Sequence, residues 1–167
     1  MRNELPKQKI WLSWESTCFA RKGSGVRLSS SPLDLGFVLK NWKPIFIENS
    51  KIPMWLSKVS PITIGAITLG FVVIARGEMD ERLRNHETIH YQQYLDLLFL
   101  GFWFVYLWDW LVGLLIHKKG DVSYYCIRAE QEAYLNDHNL DYLTTRKRWA
   151  WLWKYKVKSP PYLDKLG

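Results

Sequence analysis

His86, Glu87 and His90 stand in the order His-Glu-Thr-Ile-His. Four residues make about one helical turn, so the two imidazoles project from the same face and can close on one metal ion. Glu87 then stands beside that ion, placed to take a proton from an activated water. The chemistry implied is the first half of a zinc hydrolase site. An accidental HExxH is expected on the order of once in two hundred chains of this composition, so the surroundings must decide between chemistry and coincidence.

Those surroundings are helical. Asp80 is placed to cap a helix, and Glu81 adds negative charge near the positive end of its dipole. Leu83, Glu87, His90, Tyr94, Leu97 and Leu98 recur at three- and four-residue spacing, which puts the motif on the interior stripe. A zinc hydrolase needs a third protein ligand and an open position for water. Residues 128–137 read as a second helix with Glu130, Ala133, Tyr134 and Asp137 on one face. Glu132 lies about 200° round that helix from Glu130. Ala133, small and one turn on, lets the two helices approach. Glu130 is therefore the expected third ligand and Glu132 the alternative; as isolated residues both would pass for solvated helix charges. Tyr91, Tyr94 and Tyr134 are close enough in sequence to support the site or donate to an oxyanion, but the foremost expectation for each is a place in the aromatic core. His117 and His138 lie outside the motif and receive no role.

His86 to His90 followed by Glu130-Gln131-Glu132-Ala133 resembles the gluzincin pattern, HExxH with a later Glu in an ExxA setting. More closely, residues from about 65 to 155 resemble a group of small bacterial HExxH proteins, notably from Bacteroidetes. The matching pieces are Gly65 to Gly70, Asn85 to His90 with Gln93, Glu130 to Tyr134, Asn139 to Leu143, and Arg148 to Leu152. The resemblance covers a little over half the chain. It implies a metallopeptidase-like fold and no particular substrate; a peptide or protein substrate is the expectation from the zinc hydrolase chemistry. Two positions depart from it. Ala129 stands where relatives tend to carry an apolar or aromatic residue. Tyr134 stands where thermolysin-like gluzincins carry the Asp that steadies a zinc-bound histidine.

With 167 residues the chain is expected to form one domain with a real core. Its net charge of +7 favours anionic partners. Cys18 and Cys126 are too few and too far apart for a disulfide framework or a cysteine-based zinc site, and both are read as free thiols. Met1 to Ser16 contains no apolar run of seven, so no secretory signal peptide is expected, and the expected location is cytoplasmic. Residues 1–32 read as a basic, Gly/Ser-rich arm, 33–158 as the metal-binding domain and 159–167 as a tail. Prolines 44, 53 and 61 interrupt residues 33–60, which leaves room only for short elements. The β-branched run 62–75 reads as one or two strands, with Gly65 or Gly70 at a bulge or bend. Phe71–Ala75 is the candidate edge strand beside the motif helix, by analogy with zincin-like sites, and an ordinary core hairpin accounts for the run equally.

Residues 97–116 are 20 in number with a single charge, Asp109, and are followed by Lys118 and Lys119. Hydropathy allows a membrane span, since Asp109 would cost about 2.5–3.5 kcal/mol near a bilayer centre. The metal site argues otherwise: a straight helix here is about 30 Å long, and Glu130 would have to recross the bilayer to reach the histidines. A bend near Gly101 is expected, giving a buried core helix or one lying at a membrane interface. Residues 146–158 carry six cations and no acid, interleaved with aromatics. This suits an anionic lipid surface; nucleic acid is a less expected partner. A plain terminal helix packing Trp149, Leu152 and Trp153 on the core accounts for the same pattern.

The expectation is thus an α+β, zincin-like domain: a short sheet or hairpin, then a helical bundle carrying HExxH and a downstream Glu. Its expected function is Zn²⁺-dependent hydrolysis, foremost of peptide bonds, with His86, His90 and Glu130 as ligands and Glu87 as general base. The alternative is a peripheral membrane-associated scaffold or binding protein whose metal site is structural or vestigial.

Overall fold

The computed structural model describes residues 42–158. The arm 1–32, with Cys18, and the tail 159–167 lie outside the described residues. The chain is α+β: a three-stranded mixed sheet and seven helices among the described residues. Strand β1 (Ile45–Ile47) is followed by a short helix α1 (Ile52–Leu56), whose Pro53 sits in the first turn where no amide is needed. The run 62–75 resolves into two strands, β2 (Ala66–Leu69) and β3 (Val72–Ala75), paired antiparallel from Leu69↔Val72 to Ala66↔Ala75. Gly70, at φ +64°, occupies the first position of the two-residue turn, where a side chain would be strained. β1 adds to β3 in parallel, Ile45↔Val72 through Ile47↔Ile74, giving the order β1-β3-β2. This corrects the edge-strand expectation: among the described residues β3 is the central strand, and β2 is the edge strand on the side of the motif helix.

Alternation along the hairpin puts Ala66, Thr68, Val73 and Ala75 on one face. Val73 and Ala75 pack there with Met79 and Leu83, and Leu83 belongs to α2 (Glu81–Asp96). Asp80 caps α2 as expected, its Oδ1 accepting from the Leu83 amide at 2.7 Å. α2 is buried well beyond one stripe, because the sheet covers one side and other helices the other.

The chain reverses where α2 ends, at Leu98 and Phe99, with φ of 52° and 63°, rather than at Gly101. Such backbone costs about 1–3 kcal/mol per residue. Phe99 offsets it by packing on Phe71 and Tyr94, ring centroids 4.6 and 5.9 Å away. Leu98, expected on the interior stripe, is instead exposed. The reversal starts α3 (Leu100–His117), which is not a buried core helix: Phe102, Asp109 and Gly113 are its only buried residues. Asp109 is neutralised within the protein, its Oδ1 accepting from Arg128 Nη2 at 2.7 Å and its Oδ2 from Arg128 Nε at 2.8 Å. It also accepts from the Arg128 amide at 3.1 Å, satisfying an unpaired donor at the start of the helix that Arg128 opens. α4 (Gly120–Tyr125), α5 (Arg128–Asn136), α6 (Tyr142–Thr145) and α7 (Trp151–Lys154) complete the fold. The C-terminal aromatics divide differently from expectation: Trp151 and Tyr155 enter the core while Trp149 and Trp153 stay exposed. Cys126 is a buried free thiol.

Candidate metal centre

α2 supplies His86 and His90 one turn apart, and α5 supplies Glu130. Ala129 and Ala133, both fully buried, flank Glu130 on α5. Glu130 faces both histidines: His90 Nε2 lies 3.5 Å from its Oε1 and His86 Nε2 3.8 Å from its Oε2. The two Nε2 atoms are 3.2 Å apart. Two nitrogens bound tetrahedrally to one ion at about 2.0–2.1 Å lie about 3.3–3.4 Å from each other, so the observed spacing is that of a shared ligand set. The three residues form a buried cluster that could hold a metal ion.

The outer nitrogens decide which lone pairs point inward. His90 Nδ1 is 2.9 Å from Gln93 Oε1. The amide of Gln93 is oriented by its own donors, Nε2 to Ala129 O at 3.0 Å and to Glu132 Oε2 at 2.7 Å. Its oxygen therefore faces His90, Nδ1 carries the proton, and Nε2 is left as a ligand. His86 Nδ1 faces Asp137 Oδ2 at 3.4 Å, and Asp137 is held in turn by Arg82 through two bonds of 2.9 and 3.2 Å. Asp137 thus places an acid at the outer nitrogen of His86, and Tyr134 lies edge-on to the His86 ring, centroids 4.6 Å apart.

Glu132, the alternative ligand, points away. Its oxygens accept from Tyr142, Gln93 and Arg146, the last through Nε and Nη2 at 3.0 Å each. Tyr91 and Tyr94 are core residues; the Tyr94 hydroxyl donates to Thr68 O at 2.9 Å. Two tyrosines not singled out from sequence reach the cluster. Tyr106 of α3 donates to Glu130 Oε1 at 2.8 Å, and Tyr124 of α4 to Oε2 at 2.7 Å. Neither has a motif spacing, so only their presence in aromatic helices hinted at them. Glu87 is buried beside the cluster, its Oε2 accepting from the Thr68 hydroxyl at 2.6 Å. β2 thereby touches the site directly. His117 and His138 do not join it.

Electrostatics point the same way. Burial opposes a charged imidazolium at His86, but hydrogen bonding to Asp137 and Glu130, with the field of Glu87, outweighs it and raises His86 to about 10. Burial opposes charge at His90 too, and the adjacent Glu130 carboxylate overrides it upward. Burial would raise Glu130, yet the two histidines hold it well below the usual carboxylate range. Without a metal both imidazoles are shifted toward the protonated form, and a divalent cation would compete with those protons.

This has a measurable consequence. His86 has a folded pKa above its ordinary 6.5, so its contribution to stability is full below about 6.5 and is lost as pH rises through about 10. Glu130 works in the opposite sense, contributing above its ordinary 4.5. Chelator-treated protein should therefore lose melting temperature steadily from about pH 6.5 to 10, and added zinc should cancel the decline because its affinity grows as the imidazoles deprotonate. Thermal melts across that range check this; a flat metal-free profile contradicts the upward shift of His86.

No protein-family model matches the chain, and searches of curated proteins and of solved structures find no match either.

Proposed function

We propose that the chain is a zinc-dependent hydrolase of gluzincin type, acting on peptide bonds, within a zincin-like fold. The observation that carries this reading is the convergence of two Nε2 lone pairs and the Glu130 carboxylate beside a buried glutamate. The order His-Glu-Thr-Ile-His with a Glu on a later helix supports it. His86, His90 and Glu130 would hold the ion. Zinc supplies a water acidified to near neutrality and a polarised carbonyl. Glu87 takes the proton of the attacking water and returns it to the leaving amine as the C–N bond breaks. Thr68 occupies Glu87 Oε2, so Oε1 is the oxygen assigned to that transfer. Tyr106 and Tyr124 fix the rotation of the Glu130 carboxylate.

Glu87→Gln keeps the shape and the Thr68 contact but removes the base. It should retain zinc and lose peptide cleavage by about 10²–10⁴-fold, read on a mixed quenched-fluorescent peptide library. Equal turnover would sink Glu87 as base, and no cleavage by zinc-loaded wild type would remove the peptidase reading. One observation favours a structural ion instead: His86, Glu87, His90 and Glu130 are only 3–7% exposed, as in closed sites. In that case Glu87→Gln changes nothing but stability.

A further inference from the structure

α3 has two stripes of opposite character. Phe102, Tyr106, Asp109 and Gly113, at spacings of four, three and four, pin one side along the helix: to the core, to Glu130, to Arg128 and to Ser123 of α4. On the other side Trp103, Phe104, Leu107, Trp108, Leu111 and Leu115 form a face without a charge, each between 42 and 80% exposed. Contiguous apolar surface of this extent is a docking surface rather than ordinary exterior.

We propose that this face seats the domain on an anionic lipid bilayer, with α3 lying in the membrane plane. α3 is the one helix among the described residues long and apolar enough to span a bilayer. Spanning would carry its pinned stripe, with Asp109 and Arg128, into hydrocarbon together with the polar helices bound to it. Lying flat, it buries only the bare face, as interfacial helices do. The charge pattern selects the partner. Lys118 and Lys119, both exposed, follow the helix directly, and Lys147, Lys154, Lys156 and Lys158 are exposed on a segment without an acid. Anionic headgroups attract such residues, whereas two copies of a chain with net charge +7 repel each other. Trp103 and Trp108 are the side chains that favour headgroup depth. Tyr106 joins this same helix to Glu130, so the metal cluster lies about one helix diameter, ~10 Å, from the lipid surface. The substrate would then be a polypeptide lying close to the bilayer, a step that rests on the hydrolase reading.

Flotation of the full chain with phosphatidylcholine vesicles, with and without phosphatidylglycerol, tests the surface. Binding should require phosphatidylglycerol, weaken with salt, and fall at least about tenfold in Phe104→Ser/Trp108→Ser. The double variant should keep wild-type circular dichroism and zinc content, since neither residue lies on the pinned stripe. Lys118→Ser/Lys119→Ser should cost about fivefold per charge. Absence of flotation by folded wild type at low salt overturns the proposal. So does resistance of bound protein to carbonate extraction, which would mean a span. A dimer in ultracentrifugation that the double variant splits, without lipid binding, would assign the face to a second copy. These readouts are separate from zinc content and Glu87→Gln turnover, so failure of either reading is visible by itself.

Discussion

Purified protein should carry close to one zinc per chain, and His90→Ala or Glu130→Ala should weaken its binding by on the order of a hundred- to thousandfold. That is roughly one ligand's share of the about 10–16 kcal/mol seen for four-ligand structural zinc sites. Asp137→Asn should cost less, about ten- to a hundredfold, because it disturbs only the orientation of His86. Glu132→Gln should keep the metal with a loss of affinity of about tenfold or less, since its carboxylate faces Arg146, Tyr142 and Gln93 and reaches His90 only through Gln93. Elemental analysis of the five proteins after dialysis against zinc decides the matter. No zinc in any of them would leave HExxH as coincidence; loss in Glu132→Gln alone would mean that α5 is rotated from its place here.

The largest effect on stability is expected at Arg146. Its side chain is 3% exposed and joins two buried carboxylates: Nη2 donates to Asp96 Oδ2 at 2.7 Å, and Nε to Glu132 Oε1 at 3.0 Å. Removing it leaves two buried carboxylates without the donors that compensate their burial. Arg146→Ala should therefore cost about 3–5 kcal/mol, a large part of the about 5–15 kcal/mol that holds a domain together, with melting lowered by on the order of 10 °C. Arg146→Lys should restore only part of this, because an ammonium cannot bond both acids with a planar fork. Arg148→Ala is the control. Arg148 also binds Asp96, at 3.0 Å, but its side chain is 39% exposed, and solvent-screened pairs contribute about 0–1 kcal/mol. Denaturant melts that showed equal losses for Arg146→Ala and Arg148→Ala would contradict the buried network. Zinc affinity should fall in Arg146→Ala too, because Glu132 holds Gln93 and Gln93 holds His90.

The sequence by itself determined what local geometry controls. The helical period puts His86 and His90 on one side whatever surrounds them, and Asp80 caps that helix through a contact only three residues long. The sequence marked Gly65 and Gly70 alike as places for a bend, and strand pairing put the hairpin turn at Gly70, whose φ few other residues tolerate. Glu130 could be preferred over Glu132 from the helix wheel, although the structure buries both, so hydrophobic patterning could not have separated them. Partnerships between distant residues were illegible. Asp137 lies 51 residues from His86, Tyr106 lies 24 from Glu130, and Arg146 lies 50 from Asp96. Each depends on how helices rotate and cross, which is set by the sum of many apolar contacts rather than by any short spacing. The strand order needed the same information: β1, β2 and β3 are all short and apolar, and only pairing shows that β3 is central and β2 the edge. The apolar run 97–116 is the sharpest instance. Its composition permits a span, a core helix or an interfacial one, and the tertiary structure decided that one stripe is pinned to the domain and the opposite stripe bare, because Asp109, Tyr106 and Gly113 found partners on a single side.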